Sequence, residues 1–432
     1  MRVAVVGAGW AGCAAAVEAT RLGHHVTVFE AGRTAGGRAR RVDVSHDGQS
    51  VPLDNGQHIL IGAYTETLKL MADVGVDVAA SLHRMPLSLL FADGSGLKLP
   101  QLPAPLDALV GILRSKGWTW GDKLSLLKTA TGWQLRKFQC APQQSVADLC
   151  RSLSPRIMAT LIEPLCVSAL NTPADRASGQ VFLRVLKDSL FAVSGGSNLL
   201  LPRVDLSALL PDAALAWLRD RGGQTKLGTR ANGIIFDSSK RWKLLGVGDA
   251  PLGEFDWVIL ACPPLDAARL VRSAGGSDLV ADGWLALAEA LQYEAIATVY
   301  AFAPSYRLPE PMLALESSAD CPAQFVFDRG WLGGPSGLLA FVVSASQQGS
   351  AEIAAQVTAQ AQAQLGINNL TVVQTVVEKR ATFACTPALQ RPGQHIAPGL
   401  LACGDYTDGP YPATLEGAVR CGLQAAHLLQ NP

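Results

Sequence analysis

The chain opens with Arg2-Val3-Ala4-Val5-Val6 and runs straight into Gly7-Ala8-Gly9-Trp10-Ala11-Gly12. An alanine-rich stretch follows to Leu22-Gly23, and then His25-Val26-Thr27-Val28-Phe29-Glu30. The first run is short and apolar, as suits a buried parallel strand. Gly7 permits a tight turn, Gly9 lets backbone approach a pyrophosphate, and Gly12 allows close packing of helix on strand. The helix start at Trp10 and Ala11 offers unpaired N–H groups and a positive dipole end to phosphate oxygens. Glu30 closes the second strand near where an acid meets ribose hydroxyls. A G-x-G-x-x-G alone is a weak signal. Strand, loop, helix, strand and terminal acid in that order predict a dinucleotide-binding βαβ unit.

At 432 residues the chain exceeds the usual size of one domain, so two are expected. β-rich runs and glycines recur over 1–75, 190–265 and 395–432, while prolines, tryptophans and helical patterns dominate 76–189 and 266–394. We therefore expect an α/β fold in which a discontinuous Rossmann-type domain, built from the first three segments, is interleaved with an α+β substrate-binding domain. A cleft should lie between the two. Hydrophobic residues make up 49% and the mean hydropathy is +0.21, yet the most apolar stretch, 199–218, is broken by Arg203, Asp205, Pro211 and Asp212. No run reaches the roughly 18 to 20 apolar residues that span a bilayer. Met1 leads directly into a strand, leaving no room for a signal peptide, so a cytoplasmic protein is expected. The 36 basic and 36 acidic side chains cancel without a basic block, which gives no footprint for nucleic acid. Nine scattered cysteines never form C-x-x-C. They read as reduced, mostly buried thiols, and no metal site is expected.

Glu30 is followed by Ala31-Gly32-Arg33-Thr34-Ala35-Gly36-Gly37-Arg38, which resembles the E-A-x-x-x-x-G-G-R run of the amine oxidase and carotenoid desaturase flavoproteins. The resemblance implies FAD as the dinucleotide, with Gly37 beside it and Arg38 countering negative charge. Near the other end, Leu400-Leu401-Ala402-Cys403-Gly404-Asp405 precedes Gly409-Pro410-Tyr411-Pro412-Ala413-Thr414-Leu415-Glu416-Gly417-Ala418. This resembles the C-terminal flavin motif of the same superfamily. It implies that Gly404 and Asp405 meet the ribityl–phosphate region and that Ala413, Thr414 and Leu415 start a helix facing the flavin pyrimidine. A positive helix end there would stabilise an anionic reduced flavin. Looser matches run from Gly222 to Ala231 and Ile234, like a strand over adenine, and from Trp257 to Pro264, like the strand after it.

Four runs resemble the bacterial hydroxysqualene dehydroxylases of squalene and hopanoid biosynthesis. They are Leu53-Asp54-Asn55-Gly56-Gln57-His58-Ile59-Leu60-Ile61-Gly62-Ala63-Tyr64; Glu163 to Thr172-Pro173, extending to Ser178; Leu199 to Leu206; and Gly404 to Gly417. The resemblance spans nearly the whole chain. It implies reductive removal of a hydroxyl from a polyisoprenoid, hydroxysqualene, by reduced FAD, with upstream squalene-pathway enzymes as partners. A carotenoid desaturase is the alternative. An amine oxidase is disfavoured, because the strand Ala297-Thr298-Val299-Tyr300-Ala301-Phe302, the counterpart of one that often carries a flavin-side lysine, has none.

Within these runs Asn55, Gly56 and Gln57 should turn beside the flavin, delivering His58. His58 is either the acid for the leaving hydroxyl or a hydrogen-bonding partner of backbone or cofactor. Asn171 either orients the hydroxyl or caps a turn. Tyr411, with Tyr406, either walls the flavin ring or packs the core. Residues 101–135 combine apolar helical stretches with Trp118, Trp120, Trp133, Arg114, Lys116 and Lys123. Such helices either lie on the inner membrane as a peripheral contact or cap a substrate cavity.

Overall fold

Around the opening strand Arg2–Val6 the chain builds a six-stranded sheet in the order Gln224–Lys226, His25–Phe29, Arg2–Val6, Trp257–Leu260, Leu400–Ala402, His395–Ala397. The first five strands are parallel and the last is antiparallel. All six come from the segments 1–75, 190–265 and 395–432. The computed structural model describes residues 1–46, 48–237, 239–274, 281–346 and 348–429; the expected domain spans also run over 47, 238, 275–280, 347 and 430–432, which lie outside the described residues.

The helix Trp10–Arg21 is buried almost all round, because it is held between the sheet and the C-terminal helix Leu415–His427. That explains its alanines: an all-round buried helix has no polar face to offer. Two glycines set the spacing. A Cβ on Gly12 would lie 2.0 Å from the Gly7 carbonyl oxygen, and one on Gly422 would lie 2.1 Å from that of Ala11. The two ends of the chain thus meet backbone to backbone.

The second sheet is antiparallel, in the order Met312–Ala314, Phe325–Asp328, Leu338–Ser346, Tyr293–Phe302, Thr371–Phe383. Its side chains alternate between faces as pleating requires. Ala297, Val299 and Phe341 pack on the helix Ser350–Leu365, while Ile296, Phe325 and Phe327 turn towards the first sheet. A three-stranded sheet joins Leu60–Ile61, Leu199–Pro202 and Leu82–Met85, so the segments expected in different domains share hydrogen bonds there. Helices Leu106–Arg114, Trp120–Leu135, Glu163–Leu170 and Gly179–Lys187 gather into a cap. Among the described residues no helix is long and apolar enough to cross a membrane.

Candidate active site

A cleft of about 610 Å³ runs between the two sheets. Gly7, Gly9, Trp10, Ala11, Glu30, Gly37, Arg38, Asn55, Gly56, Gln57, Ala231, Gly404, Asp405, Ala413, Thr414 and Leu415 all line it, as do His58 and Asn171. Gly12 lies beneath the loop rather than on the wall, where its missing side chain serves helix packing. Gly7 has φ +114, which L side chains rarely adopt. Gly9 is different. A Cβ there would meet nothing nearer than the Gly37 Cα at 4.0 Å, so its bareness keeps cleft space clear.

Glu30 braces the loop that it follows: one oxygen accepts from Ala8 N at 2.8 Å and the other from Gly32 N at 2.7 Å. Arg38 and Asp405, read from opposite ends of the sequence, form an ion pair with each other. Arg38 also donates to the Ala381 carbonyl at 2.7 Å, tying its loop to the second sheet. Burial works against the Arg38 charge, but the Asp405 carboxylate outweighs it and the pKa is raised. The helix Leu415–His427 is N-capped by Thr414, whose Oγ1 accepts from Gly417 N at 2.9 Å. Both helix starts, at Trp10 and at Leu415, therefore open on the same cleft. Two buried polar atoms of lining residues, Asn55 Nδ2 and Tyr406 Oη, have no protein partner. Two positive helix ends, a clear glycine and two unspent buried polar atoms fit a bound dinucleotide.

The turn Asp54–His58 is gripped by the second sheet. Tyr300 Oη donates to the Asp54 carbonyl at 3.0 Å, Gln57 N to Thr298 Oγ1 at 3.3 Å, and Arg329 to Gln57 Oε1 at 3.2 Å. Burial lifts the Asp54 carboxyl to about 6, against the Leu206 N–H and Arg329, which pull it down. His58 Nδ1 lies 2.9 Å from the Gly56 carbonyl oxygen, so Nδ1 carries the proton and Nε2 is left as an acceptor. Burial pushes the His58 pKa below its ordinary value, the Gly56 bond opposes this, and Arg38 adds to the lowering. A neutral imidazole results.

Asn171 caps the helix Glu163–Leu170 in the left-handed conformation, φ 45 and ψ 33. Its amide donates to Thr382 Oγ1 at 3.0 Å and accepts from Ala345 N at 2.9 Å. It touches the cleft, but its polar atoms are committed to joining the cap to the second sheet. The strand Tyr293–Phe302 presents its two faces to different neighbours. Ala297 faces the outer helix, and Tyr293 and Ile296 line the cleft. No lysine lines the cleft among the described residues.

Beneath the cap lies a second cavity of about 440 Å³, walled by apolar side chains that include Leu97, Leu126, Leu127, Trp133, Leu161 and Phe182. Residues 101–135 therefore form its roof. Tyr411 belongs to this chamber rather than to the cleft; burial, and then the neighbouring Asp188, raise its phenol pKa. The cleft and chamber share Ile59, Tyr64, Ser168, Ala169 and Thr414. These five residues form a throat where the two spaces meet. Tyr64 and Ser168 were not singled out from the sequence, though each sits inside a run quoted above. Nothing in spacing alone marks a helix residue such as Ser168 as facing two cavities. Burial, followed by the charge of Glu416, raises the Tyr64 phenol above its ordinary value, opposed by a hydrogen bond with Thr414. It remains a protonated O–H donor across the neutral range.

The family described as flavin containing amine oxidoreductase matches residues 10–429. The hydroxysqualene dehydroxylase of Rhodopseudomonas palustris is 29% identical over 440 residues, covering 99% of this chain and 98% of that one. That of Zymomonas mobilis is 26% identical and covers 98% of each. Among solved structures, an oxidoreductase from Methanosarcina mazei superposes with a TM-score of 0.73 at 17% identity, over 99% of this chain and 100% of that one. At that identity the likeness speaks to the fold.

Proposed function

The chain belongs to the flavin containing amine oxidoreductase family and is an FAD-dependent oxidoreductase, and from that premise we propose that it removes the hydroxyl of hydroxysqualene to give squalene, a step of squalene and hopanoid biosynthesis. One observation carries the reading: an apolar chamber of about 440 Å³ adjoins the FAD cleft, the two sharing five lining residues. Chambers of this size accept drug-sized ligands, and this one is lined mostly by apolar side chains, with Gln134, Asp188 and Glu416 among its few polar ones. The similarity to the hydroxysqualene dehydroxylases over nearly the full chain supports the same substrate class.

In the net reaction the C–O bond of the allylic alcohol breaks, the hydroxyl leaves with a proton as water, and a new C–H bond forms at the same carbon. FAD in its reduced form supplies the hydride when it is bound. The chain's own residues do the rest. Gly7, Gly9, Gly37, Arg38, Asp405 and the Thr414 cap hold the dinucleotide, and the cap excludes water. The throat brings the hydroxyl-bearing carbon to the flavin while the tail stays in the chamber. There Tyr64, Ser168 and Thr414 offer the only hydroxyls shared by both spaces among the described residues. We assign the hydrogen bond to the departing hydroxyl to Tyr64 rather than to His58, because a buried neutral imidazole has no proton to spare on Nε2. Asn171 acts as a positioning residue through its links to Thr382 and Ala345. Tyr411 lines the chamber wall near the throat.

Purified protein mixed anaerobically with hydroxysqualene and reduced FAD should yield squalene. Recovery of unchanged alcohol, or of a product with added double bonds, would overturn the reading; the second outcome would favour a carotenoid desaturase-like reaction. Tyr64→Phe should lower kcat about tenfold or more with flavin content unchanged. An unaffected kcat would remove Tyr64 from the reaction without touching the substrate assignment.

A further inference from the structure

The roof of the chamber has an outer side that the reaction does not use. On the helix Leu106–Arg114, Leu106, Leu109 and Leu113 fall at helical spacing along one side, and Leu102 lies in the chain just before it, each at least 40% exposed. On the helix Trp120–Leu135, Trp120 and Leu124 follow the same pattern at 68% and 63% exposed. Lys123 ties the two helices together by donating to the Leu113 carbonyl at 2.9 Å. Exposed apolar stripes on two joined helices are unusual on a surface facing water.

The charge on this roof is one-sided although the whole chain is neutral. Residues 101–140 hold six basic and two acidic side chains. Both acids, Asp107 and Asp122, are buried, and Asp122 is spent on a capping box with Thr119. The exposed Arg114, Lys116, Lys128, Arg136 and Lys137 form no ion pair among the described residues. The chamber also reaches this surface: Leu106, Leu109 and Phe191 both line the cavity and are 52%, 41% and 37% exposed.

We propose that this roof docks on an anionic bilayer, with Leu102, Leu113, Trp120 and Leu124 entering the interface and the lysines and arginines meeting lipid phosphates, so that the chamber opens against the membrane. Apolar protrusions with tryptophan at the boundary and unpaired basic residues are what a lipid interface rewards. The centre of a protein interface is instead depleted of lysine. The docking rests on the surface alone. Uptake of substrate directly from lipid rests also on the polyisoprenoid reading proposed above.

The test is cosedimentation of the flavin-loaded protein with vesicles of phosphatidylcholine, alone or mixed with phosphatidylglycerol. The wild type should sediment with the mixed vesicles and much less with the neutral ones. L113S/W120S/L124S and K116E/K128E, none of which lines the chamber, should each weaken that binding about tenfold or more. Both should keep their flavin and turn over detergent-solubilised hydroxysqualene at the wild-type rate, while losing rate on substrate presented in vesicles. A wild type that stays in the supernatant would overturn the proposal. So would binding that ignores lipid charge, or a wild-type dimer that L113S/W120S/L124S converts to monomer, since the face would then be covered by a second copy. Vesicle binding without turnover of solubilised substrate would refute the reaction and leave the docking intact.

Discussion

In the dinucleotide cradle backbone meets backbone: Gly12 lies against the Gly7 carbonyl and Gly422 against that of Ala11, and no side chain fills the gap. In the cap, leucines on four helices, with Trp133, face a space of about 440 Å³, and close contacts give way to volume. The two regions differ in what they tolerate. A cradle defined by backbone contact loses its function with one added methyl group. A chamber defined by wall and length accepts conservative apolar exchange and responds only when it is blocked.

The largest effect should come from Gly12→Val, which puts a side chain where 2.0 Å is available. Urea unfolding should show a loss of about 3 kcal/mol or more, with no flavin retained. Gly9→Val sharpens the contrast. Its Cβ has room in the protein, so the flavin-free fold should be held within about 1 kcal/mol of wild type while flavin binding is lost. A yellow, normally loaded Gly9→Val protein would break the account of the cradle. Next comes Ala130→Trp, which shortens the chamber from its roof. Flavin content should match wild type while turnover of the long substrate falls about tenfold or more and a shorter isoprenoid alcohol is spared. Wild-type turnover would mean that the chamber is not where the hydrocarbon lies.

Asp405→Ala should be milder. It leaves Arg38, which is 38% exposed, without its partner, so flavin affinity measured by equilibrium dialysis should drop about tenfold, with product identity unchanged. The smallest effect concerns His58. Its folded pKa lies below the ordinary value, so as pH falls below about 6.5 the unfolded chain takes up the proton first. That contribution is absent above the unfolded pKa and works against folding as pH drops towards the folded one. His58→Gln should therefore flatten the fall of Tm between pH 7 and pH 5. An unchanged slope would show that His58 is not held neutral.

How much of this was legible beforehand follows the same division. Gly7, Gly9, Gly12 and Glu30 stand in one local unit whose spacing encodes its geometry; Gly7, Gly9 and Glu30 line the cleft and Gly12 packs beneath the loop. The pairing of Arg38 with Asp405 was not legible, because 367 residues separate them and each was read only against the cofactor. Which face of the strand Tyr293–Phe302 meets the cleft was not legible either: Ala297 points outward and Ile296 inward, and a shift of one residue exchanges the faces. The throat was hidden altogether. Tyr64, Ser168 and Thr414 come from three distant runs, and only the packing of the cap against the cleft brings them together.

The most direct measurement is a single-turnover experiment. Flavoprotein reduced under anaerobic conditions is mixed with one equivalent of hydroxysqualene, following flavin absorbance and lipid products together. Flavin should reoxidise in step with squalene, one for one, in the wild type and more slowly in Tyr64→Phe. Squalene appearing without flavin reoxidation, or flavin staying reduced while the alcohol is recovered intact, would contradict it.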